Sequence, residues 1–105
     1  MAGTIAVSPE HRWSSASWLF DWVLRTVAEQ AGDPELTARL TEITDHDLGW
    51  LGLDELPDRH RQAFTTVLLR LPDLAEEGLP PDLPSRGRTV DHVRTLTRLA
   101  TCDGR

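Results

Sequence analysis

Four histidines are the side chains in this sequence best suited to metal binding or proton transfer, and one of them lies between two carboxylates. Asp45, His46 and Asp47 are consecutive, and adjacent side chains point in different directions in a helix and in a strand alike. At most one of these carboxylates could therefore share a metal ion with His46, and no second histidine lies within one helical turn. We interpret the segment as a polar loop with a capped local turn and predict no metal site.

Two further histidines, His60 and His92, each lie near the first turn of a predicted helix, at the edge of its apolar face. Either they are partly buried, hydrogen-bonded residues that face one another, or they belong to a site that includes Asp58 or Asp91. We favour the structural role. No serine has a nucleophile-elbow context, no glycine-rich phosphate loop occurs, and the only cysteine, Cys102, lies near the C-terminus. The sequence therefore predicts a protein that is not an enzyme, with no catalytic residue and no cofactor.

Two tryptophans one helical turn apart are the strongest indication of a binding function. Trp18 and Trp22 share one side of a predicted helix with Asp21, Arg25 and Glu29. The apolar arc on the opposite side is formed by Ala16, Leu19, Phe20, Val23, Leu24, Val27 and Ala31. Two large rings outside that arc need a second burial surface, which is either another helix of this protein or another molecule. We predict the latter, so that these five residues bind a partner.

The charge of the chain is uneven and indicates the kind of partner. Residues 1–55 hold ten carboxylates and three arginines, a net charge of −7, whereas residues 56–105 hold seven carboxylates and eight arginines, a net charge of +1. An acidic field repels nucleic acid and anionic membranes and steers a basic protein toward the first half. We predict a protein-binding module, an immunity- or inhibitor-like partner of a basic protein, with homodimerisation as the nearest variant.

The elements that carry these residues are predicted to be helical throughout. We expect an all-α fold, a compact bundle of four to five helices with a proline-rich loop before the last one. Residues 1–105 form one helical domain, with a loose N-terminal lead over 1–12 and a loose tail over 102–105. The predicted helices cover about 15–31, 34–44, 58–71 and 89–101. The apolar side chains of 45–56 are expected to fill the core.

Neither a membrane span nor a signal peptide is predicted. The longest apolar stretch, Trp18 to Leu24, is interrupted by Asp21, and residues 1–9 have no positively charged start followed by an apolar run. We therefore expect a cytoplasmic protein.

Two segments of the second half resemble the helix-turn-helix region 4 of bacterial sigma factors. Residues 56–64, LPDRHRQAF, look like its start, and residues 88–94, RTVDHVR, look like its recognition helix. The resemblance covers under half of the chain and implies that the helix beginning at Thr89 enters the major groove. The arginines that it implies as phosphate or base contacts are Arg88, Arg94 and Arg98. A transcription-related module is thus the alternative to protein binding.

Overall fold

A small β-sheet accompanies the helices, so the all-α prediction is wrong and the fold is mixed. The computed structural model describes residues 2–7, 10–46, 48–79 and 82–103. The elements in chain order are β1 (Ala2–Ala6), β2 (Arg12–Ala16), α1 (Ser17–Ala31), α2 (Pro34–Asp45), β3 (Trp50–Gly52), a 3₁₀ turn (Leu53–Glu55), α3 (Asp58–Gly78) and α4 (Arg86–Asp103).

The sheet has the strand order β2-β1-β3. β1 pairs antiparallel with β2 and parallel with β3, so that Ile5 lies opposite both Trp13 and Leu51. These three side chains are buried, whereas the neighbouring row on the other face is more exposed. Residues 2–6, assigned above to a loose lead, are therefore the central strand of the sheet.

The sheet packs on the start of α1 through a close backbone approach at Gly3. A Cβ atom on Gly3 would overlap the ring of Phe20, which is itself buried. Only glycine leaves room for that ring at this point of β1. The contact packs α1 against the sheet directly after β2. The helix therefore begins at Ser17, later than the predicted start near residue 15, and Ser14 and Ser15 belong to β2.

The turn between α1 and α2 lies where the predicted helix bounds place it, between residues 31 and 34. Gly32 has φ of 64°, the left-handed conformation that ends helices. Asp33 then caps α2, because its carboxylate accepts hydrogen bonds from the backbone N–H groups of Glu35 at 3.0 Å and Leu36 at 3.3 Å. Pro34 at the first helical position loses no helical hydrogen bond.

The third helix differs from the prediction, because it continues through Pro72 to Gly78. Proline lacks the N–H that would bond the carbonyl four residues earlier, that of Leu68. The hydroxyl of Thr97 on α4 donates to that carbonyl at 2.7 Å. The neighbouring helix thus satisfies the group that Pro72 leaves free, and α3 and α4 pack together most extensively of all pairs of described elements.

The last helix begins at Arg86, earlier than the predicted start at Thr89. Its last described residue is Asp103, so the predicted loose tail is helical as far as that residue, and residues 104–105 lie outside the described ranges.

Candidate binding surfaces

All five predicted partner-binding residues lie on α1, and we call them the α1 surface: Trp18, Asp21, Trp22, Arg25 and Glu29. The two indoles have different surroundings. The Trp18 side chain is 48% exposed, whereas Trp22 is partly buried against the core. A Cβ atom on Gly78, at the end of α3, would lie 3.7 Å from Trp22 Cζ2. The fold itself therefore supplies part of the second burial surface for Trp22 and leaves about half of Trp18 in solvent.

The charged members of the α1 surface remain available to a partner. Arg25 and Glu29 are exposed and Asp21 is half-buried, and none of the three is ion-paired with another described residue. Arg25 and Glu29 also line a shallow groove of about 200 Å³ between α1 and α2. Its apolar floor includes Leu24 and Leu40. The α1 surface thus combines an exposed ring, charges of both signs and an adjoining depression.

A larger groove, which sequence reasoning missed, lies on the other side of α2. It has a volume of about 750 Å³ and runs between α2, β3 and the start of α3. We call it the α2–β3 groove; its lining residues are Glu35, Ala38, Arg39, Glu42, Ile43, Leu48, Trp50, Leu51, Gly52, Glu55, Leu56, Pro57 and His60.

Two apolar side chains beside β3 remain exposed, contrary to the expectation that residues 45–56 fill the core. Leu48 is 59% exposed and Trp50 41% exposed, while Leu51 is buried. The guanidinium of Arg12 on β2 lies 5.7 Å from the centre of the Trp50 ring, within range of a cation–π contact. The two-residue alternation of β3 accounts for the outward direction of Trp50, since its neighbour Leu51 points inward.

A cluster of ionisable groups closes the end of the α2–β3 groove. The buried His60 Nε2 lies 3.7 Å from Asp33 Oδ2, 3.6 Å from Glu35 Oε2 and 3.3 Å from an Arg59 nitrogen. Arg59 also forms a salt bridge with Glu35 at 2.6 Å. The His60 Nδ1 atom is buried with no hydrogen-bond partner among the described residues. His60 is therefore tied to the start of α2, and Asp58 instead pairs with Arg61 at 2.7 Å.

The carboxyl group of Asp33 has a lowered pKa. The main cause is the hydrogen bond from the Leu36 N–H, supported by the N–H of Glu35 and by the charges of His60 and Arg59, against the opposing effect of desolvation. The cap that starts α2 is therefore held as a carboxylate, and it links the α1–α2 turn to the start of α3.

His92 contacts β2, which forms the other edge of the sheet from β3. Its Nε2 donates to the Ser14 carbonyl at 2.6 Å, and its ring stacks on Trp13 with centroids 4.7 Å apart. The Trp13 indole N–H donates to the His92 carbonyl at 2.8 Å. These contacts pack α4 against β2. His60 and His92 thus contact different elements, and the expectation that they face one another is wrong.

The remaining candidates for chemistry are not brought together. His46 and Asp45 are exposed at the end of α2, while Asp47 and the side chain of Cys102 lie outside what the structure describes. Within the described residues, no group of three or more His, Cys, Asp or Glu side chains is arranged to hold a metal ion. Each helix in that part of the chain is too short or too polar to cross a membrane.

One of the three arginines that the sigma-factor resemblance would place on DNA, Arg94, is engaged within the fold. Arg94 forms ion pairs with Glu76 at 3.1 Å and with Asp91 at 3.5 Å. Comparison of the chain with protein-family models, with curated proteins and with solved structures finds no match.

Proposed function

We propose that this protein is a protein-binding module that captures a basic protein partner through the α1 surface. The observation that carries the proposal is the half-exposed Trp18 beside Trp22, whose ring is held against the core. An anchored ring next to an exposed one is a rigid, preorganised aromatic patch, and tryptophan is enriched among the residues that dominate binding energy in protein interfaces.

The exposed part of Trp18 is large enough to matter energetically. Aromatic side chains bury about 150–250 Å² when covered, so an indole that is 48% exposed leaves on the order of 100 Å² in solvent. At about 25 cal/mol per Å², covering that area contributes roughly 2–3 kcal/mol, which exceeds a tenfold change in Kd.

The charge distribution favours a basic partner. The α1 surface lies in the acidic half of the chain, residues 1–55, which holds ten carboxylates and three arginines. A field of that sign accelerates encounter with a positively charged protein. The proposal therefore describes an inhibitor- or immunity-like protein that acts in the cytoplasm, blocks a basic protein and uses no catalytic residue or cofactor. A second copy of this chain is the alternative occupant of the same surface.

Affinity enrichment with three immobilised baits tests the proposal: wild type, Trp18→Ala and Leu69→Ala. Leu69 is the matched control because it is 53% exposed and lies half a helical rotation from Gly78, the part of α3 that approaches Trp22. We expect a basic protein from the source organism to be retained by wild type and by Leu69→Ala and lost by Trp18→Ala. Equal recovery of every protein on all three baits would contradict the proposal.

Sedimentation of the purified protein separates the alternative occupant from the proposed one. A wild-type dimer that becomes monomeric in Trp18→Ala would show that a second copy of the chain occupies the α1 surface. It would contradict the proposal of a basic partner.

A further inference from the structure

We infer that the α2–β3 groove binds an extended basic segment of a partner protein, which adds to the sheet as a fourth strand beside β3. This site is separate from the α1 surface, since the two share no residue and the small groove beside the α1 surface lies on the opposite side of α2. The inference therefore goes beyond the proposed function and does not depend on it.

The first support is the open edge of β3. The Thr4 N–H donates to the Gly49 carbonyl at 2.9 Å, and backbone groups alternate in direction along a strand. The N–H and C=O groups of Trp50 and Gly52 therefore point away from β1. Trp50 is exposed, whereas Gly52 is buried beside the side chains of Asp54 and Glu55. β3 is the last strand in the order β2-β1-β3, and no other described strand pairs with its outer side. An unpaired edge is the template to which extended peptides add.

The second support is the shape and lining of the groove beside that edge. A space of about 750 Å³ is lined by residues of α2 on one side and of β3 on the other. Leu48 and Trp50 offer exposed apolar surface along it. The alternating side chains of an added strand would contact these residues on one face and the glutamates that line the groove on the other.

The third support is the charge of the groove, which selects the occupant. Three carboxylates and one guanidinium line it. Glu35 is already paired with Arg59, whereas Glu42 and Glu55 have no ion pair with another described residue. Arginine or lysine side chains of a bound segment would neutralise these two carboxylates. Edge-to-edge pairing of two copies of this chain would instead bring the same carboxylates together, which disfavours self-association.

A synthetic probe tests the inference without knowledge of the natural partner. The probe is a short fluorescein-labelled peptide of alternating arginine and valine, with a glutamate–valine peptide as its acidic counterpart. We expect fluorescence polarisation to detect binding of the basic peptide alone. In the ¹⁵N-labelled protein, the amide signals of Trp50 and Gly52 should shift on binding. Binding that leaves these two signals unmoved, or equal binding of both peptides, would overturn the inference.

Backbone methylation of the probe tests strand addition with an unaltered protein. Only alternate amides of an added strand face β3. Of two peptides, one N-methylated at every arginine and the other at every valine, one should lose at least about tenfold in affinity and the other should bind nearly as before. Equal affinities of the two methylated peptides would contradict addition to the strand edge.

Two glutamate variants test whether the carboxylates of the groove recognise the basic peptide. Glu42→Gln combined with Glu55→Gln should weaken the basic peptide roughly fivefold. Glu77→Gln should leave the affinity unchanged, because Glu77 is exposed near the other end of α3, roughly 25 Å along the helix from His60. An unchanged affinity in the double variant would refute recognition by these carboxylates.

Two further measurements separate this site from its alternatives. Trp18→Ala should bind the probe as wild type does. The result at the α2–β3 groove therefore stands even if the α1 surface proves to bind no partner. A dimer in sedimentation that the basic peptide dissociates would assign the β3 edge to a second copy of the chain and overturn the inference.

Discussion

Replacing Gly3 by alanine tests the packing of the sheet, the part of the fold that the sequence analysis did not anticipate. The added methyl group would overlap the ring of Phe20, which is 1% exposed. Since the overlap involves the base of that side chain, its Cβ and Cγ atoms, the ring cannot turn aside without moving α1. Either the central strand or the first helix must shift.

The expected cost follows from this crowding. Forcing an extra carbon into a packed core costs about 1–3 kcal/mol, and each kcal/mol lowers Tm by about 4–8 °C in a domain of 60–100 residues. We therefore expect Gly3→Ala to melt roughly 5–20 °C below wild type, measured by circular dichroism, with a matching loss in the urea midpoint.

A glycine in the last helix provides the matched control. A Cβ atom on Gly87 would meet no atom within 4 Å, so Gly87→Ala should stabilise α4 by about 0.5–1 kcal/mol. Combining Gly3→Ala with Phe20→Leu should recover part of the loss, because the two changes share one contact. A Gly3→Ala variant as stable as wild type would refute the packing of β1 against α1.

Two further outcomes concern the cap of α2 and the attachment of α4. The lowered pKa of Asp33 means that the folded state binds the Asp33 proton more weakly than the unfolded chain does. The Asp33 carboxylate therefore adds to the free energy of unfolding above its ordinary pKa of 3.8, and this stabilisation is lost as the pH falls below that value. Asp33→Asn should therefore flatten the dependence of the urea midpoint on pH below about pH 4, and an unchanged slope would contradict this. Trp13→Phe removes the donor to the His92 carbonyl and should cost about 1–3 kcal/mol in chemical denaturation, whereas a loss under about 0.5 kcal/mol would show that the bond contributes little.

The parts of the fold that follow local rules were predictable. Gly32, Asp33 and Pro34 encode the end of one helix and the start of the next within three residues, and the structure confirms both. The end of α3 was not predictable in the same way. The rule that proline stops a helix was overridden by Thr97, which reaches the exposed carbonyl from α4, a contact 29 residues away in sequence.

The strands escaped prediction because each carries little of the usual signal. β1 and β2 have five residues each and β3 has three. Each contributes one large inward residue, Ile5, Trp13 or Leu51. The neighbours of Ile5 and Trp13 within their strands are small or polar, and β3 is too short to show a pattern. One residue does not make a recognisable alternation. The pairing of β1 with β3 also spans more than forty positions of chain, which periodicity within a window cannot detect.

The candidate surfaces were predictable to different degrees. Helical geometry alone located the α1 surface, because the side of a helix on which Trp18 lies depends only on residue spacing. It did not distinguish Trp18 from Trp22, since the cover over Trp22 comes near the end of α3. The α2–β3 groove depends on a strand that the sequence did not reveal, so no local pattern around Trp50 could have identified it.

The most direct test of the account is the calorimetric Kd of the enriched partner for wild type and for Trp18→Ala, measured at two salt concentrations. We predict at least about a tenfold weaker Kd for Trp18→Ala with an unchanged urea midpoint, and weaker binding of wild type at the higher salt. A Trp18→Ala protein that is equally stable and binds within about twofold of wild type would contradict recognition through the α1 surface.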